Sequence, residues 1–235
     1  MRGAILTQAQ LSVFDFGKGF GMDVHSSEEI ARTFKDLQAV QGNALIIGGM
    51  AVIHYGYKRY THDIDILYSN YEEAALVKRL KKDFKIVRKA ESGWHHFTHK
   101  KTGVRLELIP EGGLTTYGFI PGPKTVGRDG EFISLFGLVW LKLVSGRAQD
   151  NADIVVLAKH RMPEMRALTE KLPPELRERY KEALLQAQKE IDTDPNIDHD
   201  EPESETRAKE APAQYGAKKR TPRRKVAKSR KPAVR

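Results

Sequence analysis

Apolar and polar positions along this chain form two kinds of pattern, and the first of them predicts β-strands. A short continuous apolar run at residues 44–48 (ALIIG) is typical of a buried strand. Period-two alternation or clustered β-formers, separated by glycines such as Gly93 and Gly103, predict four more strands. They lie at residues 63–68, 84–89, 94–100 and 104–110.

The second pattern repeats every three to four residues and predicts helices. Ser26 and Glu29 form the S-x-x-E pattern of a capping box, so a helix is expected over residues 27–41. Further helical segments are predicted at residues 50–56, 71–83, 134–146, 150–160, 163–172 and 174–191. Helices and strands therefore alternate around one sheet. The predicted fold class is α/β (α+β): a mixed β-sheet flanked by helices, followed by C-terminal helices.

Composition narrows the class of protein. The chain has 235 residues with 40% apolar content, which is enough for one sizeable domain with extensions. It has no cysteine, which excludes disulfides and thiolate metal ligands. No apolar run reaches the roughly 18 residues of a membrane span. We therefore expect a cytoplasmic protein without a membrane partner.

The formal net charge of +9 is unevenly distributed. Residues 190–205 contain eight acidic residues and no Lys or Arg, whereas residues 206–235 contain twelve Lys or Arg and one acidic residue. Such a segment has little to bury, so residues 192–235 are predicted to be a disordered tail, acidic first and then basic. The basic part serves either as a solubilising extension or as an arm that binds nucleic acid.

Three carboxylates in otherwise apolar strands carry the candidate chemistry. Asp63 and Asp65 are separated by one residue, so they share a strand face about 7 Å apart. Glu107 is flanked by Leu106 and Leu108 in a later strand. On neighbouring strands, three such carboxylates suit Mg²⁺, which prefers oxygen ligands. The alternative is that each acid pairs with a Lys or Arg at a strand edge. His95, His96 and His99 lack an i, i+2 pair, so no zinc site is predicted.

The order of these features resembles a known superfamily. Gly48-Gly49, thirteen further residues, Asp63-Ile64-Asp65 and then Glu107 resemble the signature of the nucleotidyltransferase superfamily that includes DNA polymerase beta. The longer stretch GGMAVIHYGYKRYTHDIDI resembles the branch with the AbiEii-like toxins of type IV toxin–antitoxin systems. LKLVSGRAQDNADIVVLAK is similar to a later motif of that branch. The resemblance covers residues 44–160, with Gly-Gly in place of the usual Gly-Ser.

The resemblance implies a nucleotidyltransferase fold and a Mg²⁺-dependent enzyme that transfers a nucleoside monophosphate from a nucleoside triphosphate to a hydroxyl group. Two Mg²⁺ ions would be held by Asp63, Asp65 and Glu107, which would also be the catalytic residues. The implied nucleotide-binding residues are Gly48, Gly49, Arg59, Lys142 and Asp150. For Arg59 a surface position, and for Asp150 a local ion pair, remain as alternatives.

The resemblance also implies a division of the chain and a set of partners. Residues 1–25 would be an N-terminal extension, 26–160 the nucleotidyltransferase domain, 161–191 C-terminal helices and 192–235 the tail. The acceptor would be the 3′ end of an RNA such as tRNA, a protein hydroxyl or a small molecule, and the basic body and tail of the chain favour RNA. A cognate antitoxin is a further implied partner. The alternative function is a nucleic-acid-binding protein with a vestigial nucleotidyltransferase site.

Overall fold

A computed structural model describes residues 25–57, 61 and 63–193 of this chain. Within these residues the helices are α1 (Ser27–Gln38), α2 (Gly48–His54), α3 (Glu73–Leu80), α4 (Pro123–Val126), α5 (Leu135–Ser145), α6 (Ala148–Arg166) and α7 (Pro174–Thr193). The strands are β1 (Leu45–Ile47), β2 (Asp63–Tyr68), β3 (Phe84–Arg88), β4 (His95–His99), β5 (Arg105–Pro110), β6 (Leu114–Thr115), β7 (Gly118–Phe119), β8 (Arg128–Asp129) and β9 (Phe132–Ile133). Short 3₁₀ turns lie at Asn70–Glu72 and Thr169–Lys171.

Seven of the strands form one mixed sheet in the order β3-β4-β5-β2-β1-β9-β8. The β2–β5 and β1–β9 pairs are parallel, and the other neighbours are antiparallel. β6 and β7 form a separate antiparallel hairpin. The mixed α/β architecture predicted from the sequence is therefore confirmed.

The two faces of the sheet differ in exposure. Alternate residues Ile64, Phe97, Leu106 and Leu108 are fully buried, while their strand neighbours Asp63, Asp65, His96 and Glu107 are only partly buried. The buried face meets α1 and α3. Thr33 of α1 hydrogen-bonds His99 of β4, and Glu73 of α3 contacts His95. The polar residues of β2, β4 and β5 therefore lie on the opposite face.

Local signals placed several helices correctly. The capping box is formed, since Ser26 Oγ accepts from the Glu29 N–H and the Glu29 carboxylate accepts from the Ser26 N–H. The predicted helix over 71–83 is divided into a 3₁₀ turn and α3. α6 spans Ala148–Arg166 but is kinked, so its first helical segment ends at the predicted residue 160. Its backbone is non-helical at Arg161 (φ −137°, ψ 36°), because Pro163 cannot donate a hydrogen bond to the preceding turn.

Several short elements were not predicted. β6, β7, β8 and β9 have two residues each, which is too short for a hydrophobic period to show. β9 nevertheless contributes to the sheet and the core, because Phe132 pairs with Ile46 of β1 and is fully buried. Among the residues that the structure describes, no helix is both long and apolar enough to cross a bilayer.

Candidate active site

A cavity of about 360 Å³ brings together most of the residues singled out in the sequence. Its walls come from β1, β2, β5, α5, the start of α6 and the hairpin that β6 and β7 form. The predicted site residues that line it are Gly48, Asp65, Glu107, Lys142 and Asp150. One side of the cavity is apolar, with Ile109, Ile120 and Leu138 among its lining residues. The site therefore combines a carboxylate wall with an apolar wall.

The sheet register places the three carboxylates on one face. Asp65 of β2 is directly opposite Glu107 of β5 in the parallel pair, and Asp63 is opposite Arg105. Residues opposite one another on neighbouring strands share a face, as do residues two apart on one strand. Asp63, Asp65 and Glu107 therefore face the same side, although Asp63 itself does not line the cavity.

This arrangement disfavours charge on Asp65. Burial of the carboxyl group is the main cause, followed by the negative charges of Asp63 and then Glu107, and together they raise the pKa of Asp65 to about 7. Lys142 and Arg147 act in the opposite direction but do not compensate. The three carboxylates thus repel one another in the absence of a cation.

Gly48, the first residue of α2, lies against the Asp65 carboxylate. Its φ of +62° belongs to the left-handed region that side chains other than glycine rarely adopt. A Cβ here would overlap Asp65 Oδ2 and stand 2.8 Å from Asp65 Cγ. The resemblance implies that Gly48 binds nucleotide, and the structure adds that the missing side chain makes room for Asp65. Gly49 is buried as the next residue of the same helix.

Two neighbours that sequence reasoning missed hold the Glu107 carboxylate. His96 is opposite Glu107 in the β4–β5 pair, and its Nδ1 lies 3.2 Å from Glu107 Oε1. Trp94 Nε1 donates to Glu107 Oε2 at 3.5 Å. These contacts depend on the register in which the consecutive strands β4 and β5 pair, and the hydrophobic pattern alone does not fix that register. His95 and His99 face the other side and contact Glu73 and Asp36.

A buried ion-pair network forms the opposite wall. The Lys142 side chain is only 4% exposed, and its Nζ lies 2.7 Å from Asp150 Oδ1 and 2.6 Å from Asp153 Oδ2. The turn between α5 and α6 adds two donors to Asp150 Oδ2, Ser145 Oγ and Arg147 Nε, each at 2.7 Å. Asp150 therefore sits in the local ion pair that the sequence allowed as an alternative. Its predicted contact with nucleotide, like that of Lys142, stays a prediction.

The network controls the charge of Asp150. Burial acts to raise its pKa, but the hydrogen bond from Arg147 and the charge and hydrogen bond of Lys142 outweigh burial and lower the pKa to about 2. Asp150 is therefore an anion at neutral pH. Arg147, Asp150 and Asp153 were expected from their spacing to form local ion pairs. Ser145 was not singled out from the sequence, because its part depends on the turn that brings α5 and α6 together.

Two predictions about the site are not tested by this geometry. Arg59 lies outside the described residues. Within the described ranges, no group of three or more His, Asp or Glu side chains is placed to hold a metal ion. The Mg²⁺ site of Asp63, Asp65 and Glu107 therefore stays a prediction.

Comparison with known proteins gives only distant similarities. No protein-family model matches the chain, and no curated protein does. Among solved structures, the chain is similar to the antibiotic-resistance factor ANT(2'')-Ia, with 15% identity and a TM-score of 0.36 over 70% of this chain and 85% of that one. It is also similar to the E. coli MS115-1 CdnC:HORMA-deltaN complex, with 14% identity and a TM-score of 0.30 over 82% of this chain and 62% of that one. At these values neither similarity assigns an activity, and the AbiEii-like branch is not confirmed.

Proposed function

We propose that this chain is a Mg²⁺-dependent nucleotidyltransferase of the DNA polymerase beta-like fold, which transfers a nucleoside monophosphate from a nucleoside triphosphate to a hydroxyl group and releases pyrophosphate. One observation carries the proposal. Asp65 and Glu107 lie opposite each other on neighbouring parallel strands, and Asp63 is on the same face. Asp65 and Glu107 line a cavity that Gly48 also lines. The sequence motifs of the resemblance thus meet at one place in the fold.

The carboxylates suit the implied metal in chemical kind. Mg²⁺ prefers oxygen ligands and usually keeps water and phosphate oxygens in its remaining positions. Asp63, Asp65 and Glu107 offer only oxygen. The raised pKa of Asp65 reflects burial first and then repulsion from Asp63 and Glu107, and a nearby dication would favour the charged carboxylate against both. When bound, two Mg²⁺ ions would stabilise charge on the attacking and leaving oxygens of the displacement.

Each side chain then has a defined task. Asp63 and Asp65 would hold both ions, and Glu107 would complete the one nearest the acceptor hydroxyl. His96 and Trp94 keep the Glu107 carboxylate in place by contacting one oxygen each. The resemblance implies that Gly48 and Gly49 would let the triphosphate approach the backbone closely, and of the two it is Gly48 that lines the cavity. Arg147 lines the same cavity, and its side chain is 74% exposed, so it can also meet an anion there.

The resemblance supports three acceptor classes: an RNA 3′ end such as that of tRNA, a protein hydroxyl, or a small molecule. A toxin role with a cognate antitoxin is part of the same proposal and rests on the AbiEii-like motifs alone. A different function, nucleic-acid binding with a vestigial transferase site, is favoured by one observation. Lys142 lines the cavity, but its ammonium group is paired with Asp150 and Asp153 and is therefore not a free cation.

Labelling with radioactive nucleoside triphosphates tests the proposal. The protein is incubated with each α-labelled triphosphate, Mg²⁺, and total RNA or cell lysate, and label on RNA, protein or small molecules is measured. We expect Mg²⁺-dependent transfer by the wild type and none by Asp65→Asn, because the substitution keeps the shape but removes a charged metal ligand. Glu182→Gln, at an exposed position of α7, is the matched control and should transfer normally.

A second readout separates loss of chemistry from loss of fold. Without metal at pH 8, Asp65→Asn should melt at least about 2 °C above the wild type, because the substitution removes a buried repulsive charge. Absence of transfer to any acceptor class, together with an Asp65→Asn protein that melts no higher than the wild type, would reject the metal assignment and favour the vestigial site.

A further inference from the structure

The polar face that carries the carboxylates continues across the sheet to its outer edge. One row of opposed residues runs Asp65, Glu107, His96 and Arg88 across β2, β5, β4 and β3. The adjacent row runs Asp63, Arg105, Thr98 and Lys85 across the same strands. Because the register shifts between Ile86 and Arg88, Lys85 and Arg88 both pair with residues of this face although they are three positions apart. Both rows therefore begin at a carboxylate of the candidate active site and end at a cation.

Among the described residues, the cations of these rows have no acidic partner. Lys85, Arg88 and Arg105 are exposed, and within the described part of the chain none of their side chains forms an ion pair or hydrogen bond. Lys100, nearby in sequence, behaves differently, because its Nζ donates to the carbonyls of Lys81 and Lys82 at 2.7 Å. We call Lys85, Arg88 and Arg105 the cationic face.

The charge of the surrounding segment is concentrated as well. Residues 78–105 contain ten Lys and Arg against two acidic residues. The remaining residues of 1–189 contain 18 Lys and Arg against 20 acidic residues. The positive excess of the chain before its tail thus lies in the segment that forms the outer edge of the sheet. A long-range field of this kind attracts polyanions and raises their rate of association.

We propose that the cationic face binds the phosphate backbone of a single-stranded nucleic acid, whose terminal hydroxyl then lies at Glu107. The binding does not require the proposed function, whereas the role of that hydroxyl as the acceptor rests on it. Charge complementarity supports the occupant, because Lys and Arg side chains displace counterions from the phosphate backbone. These exposed cations form no ion pair with any described residue, so this exchange does not require one of the described ion pairs to break.

Two features favour nucleic acid over a small acceptor or an acidic peptide. Neighbouring strands lie about 4.8 Å apart, so the row from Glu107 to Arg88 spans roughly 10 Å, a length compatible with consecutive phosphates of one strand. Trp94, partly buried and bonded to Glu107, lies where the row meets the cavity. Aromatic side chains beside basic tracks commonly stack bases of single strands.

Fluorescence anisotropy with 5′-labelled 12-nucleotide RNA and DNA, without Mg²⁺ or nucleoside triphosphate, tests the binding. The full-length wild type is compared with Lys85→Gln/Arg88→Gln and with the charge-matched control Lys171→Gln/Lys189→Gln, whose positions are exposed and far along the sequence. We expect the first double variant to bind several-fold more weakly. Its log–log salt slope should be smaller by about 1.4, since each lost phosphate contact contributes about 0.7 on single strands.

The outcomes separate this inference from the proposed function. Equal affinities and salt slopes for the two double variants would overturn the inference, as would polyglutamate competing as well as the oligonucleotide. Selective oligonucleotide binding by the wild type, without Mg²⁺-dependent transfer to any acceptor, would sustain this inference and reject the proposed function. Tighter binding of RNA than of DNA in the same titrations would identify the bound strand as RNA.

Discussion

Gly48 and Asp65 are tightly packed against each other in the site. The glycine is held at φ +62°, and the aspartate carboxylate occupies the space that a side chain at residue 48 would need. Asp65 also experiences the negative charges of Asp63 and Glu107. A change at residue 48 therefore disturbs both the backbone and the position of a proposed metal ligand.

Gly48→Ala tests this coupling. The left-handed backbone alone costs about 1–2 kcal/mol for a residue with a Cβ, and displacement of Asp65 adds to that cost. Gly112→Ala is the matched control, because Gly112 has φ +78° but no described atom within 4 Å of an added Cβ. Chemical denaturation should show a larger loss of unfolding free energy for Gly48→Ala. Equal losses would mean that the carboxylate moves away without cost.

At the scale of elements, the turn between α5 and α6 assembles the second wall of the cavity. Gly146 ends α5 in the left-handed conformation, with its N–H bonded to the Lys142 carbonyl. Its position leaves no room for a Cβ beside the Tyr117 ring, whose face is also covered by Arg179 of α7 at 3.5 Å. The hairpin, the turn and α7 thus stabilise one another next to Asp150.

The Asp150 network should make stability depend on pH in the acid range. The folded-state pKa of about 2 lies below the ordinary value of 3.8, so ionised Asp150 stabilises the fold above pH 4. That contribution is lost as the pH falls from about 4 to 2. Asp150→Asn should therefore cost roughly 2 kcal/mol at pH 6 and much less at pH 2.

Denaturant titrations of the wild type and Asp150→Asn across pH 2–7 measure this difference. Glu182→Gln, which changes an exposed carboxylate, should follow the wild type throughout. A difference between wild type and Asp150→Asn that stays constant with pH would show that the substitution acts through shape and not through the charge of Asp150.

At the scale of the whole molecule, the basic tail is a separate question from the fold. Residues 206–235 lie outside the described residues, and their composition predicts little buried apolar surface. Deleting them should change the melting temperature by less than about 1 °C. A cooperative loss of structure on truncation would show that the segment packs against the rest of the chain.

The same truncated protein separates the tail from the cationic face in binding. If the tail is an arm for nucleic acid, its removal should lower the salt slope by several units, because it carries twelve Lys and Arg. The contribution of Lys85 and Arg88 should persist in the truncated chain, since β3 remains. An unchanged slope after truncation would leave the tail as a solubilising extension.

The sequence by itself determined the local features of this protein. The spacing of Asp63 and Asp65 placed them on one strand face, because alternation in a strand depends only on the backbone. The capping box at Ser26 defined the start of α1 for a similarly local reason. The apolar flanks of Glu107 and the resemblance indicated it as the third candidate carboxylate. In the structure, Glu107 lies opposite Asp65 on the neighbouring strand.

Only the tertiary structure decided what those residues meet. The parallel pairing of β2 with β5 sets Glu107 opposite Asp65, and the next pairings add His96 and Arg88. The α5–α6 turn buries Lys142 between two aspartates. Pairing register and burial depend on how distant apolar faces pack together, so one-dimensional patterns do not contain them.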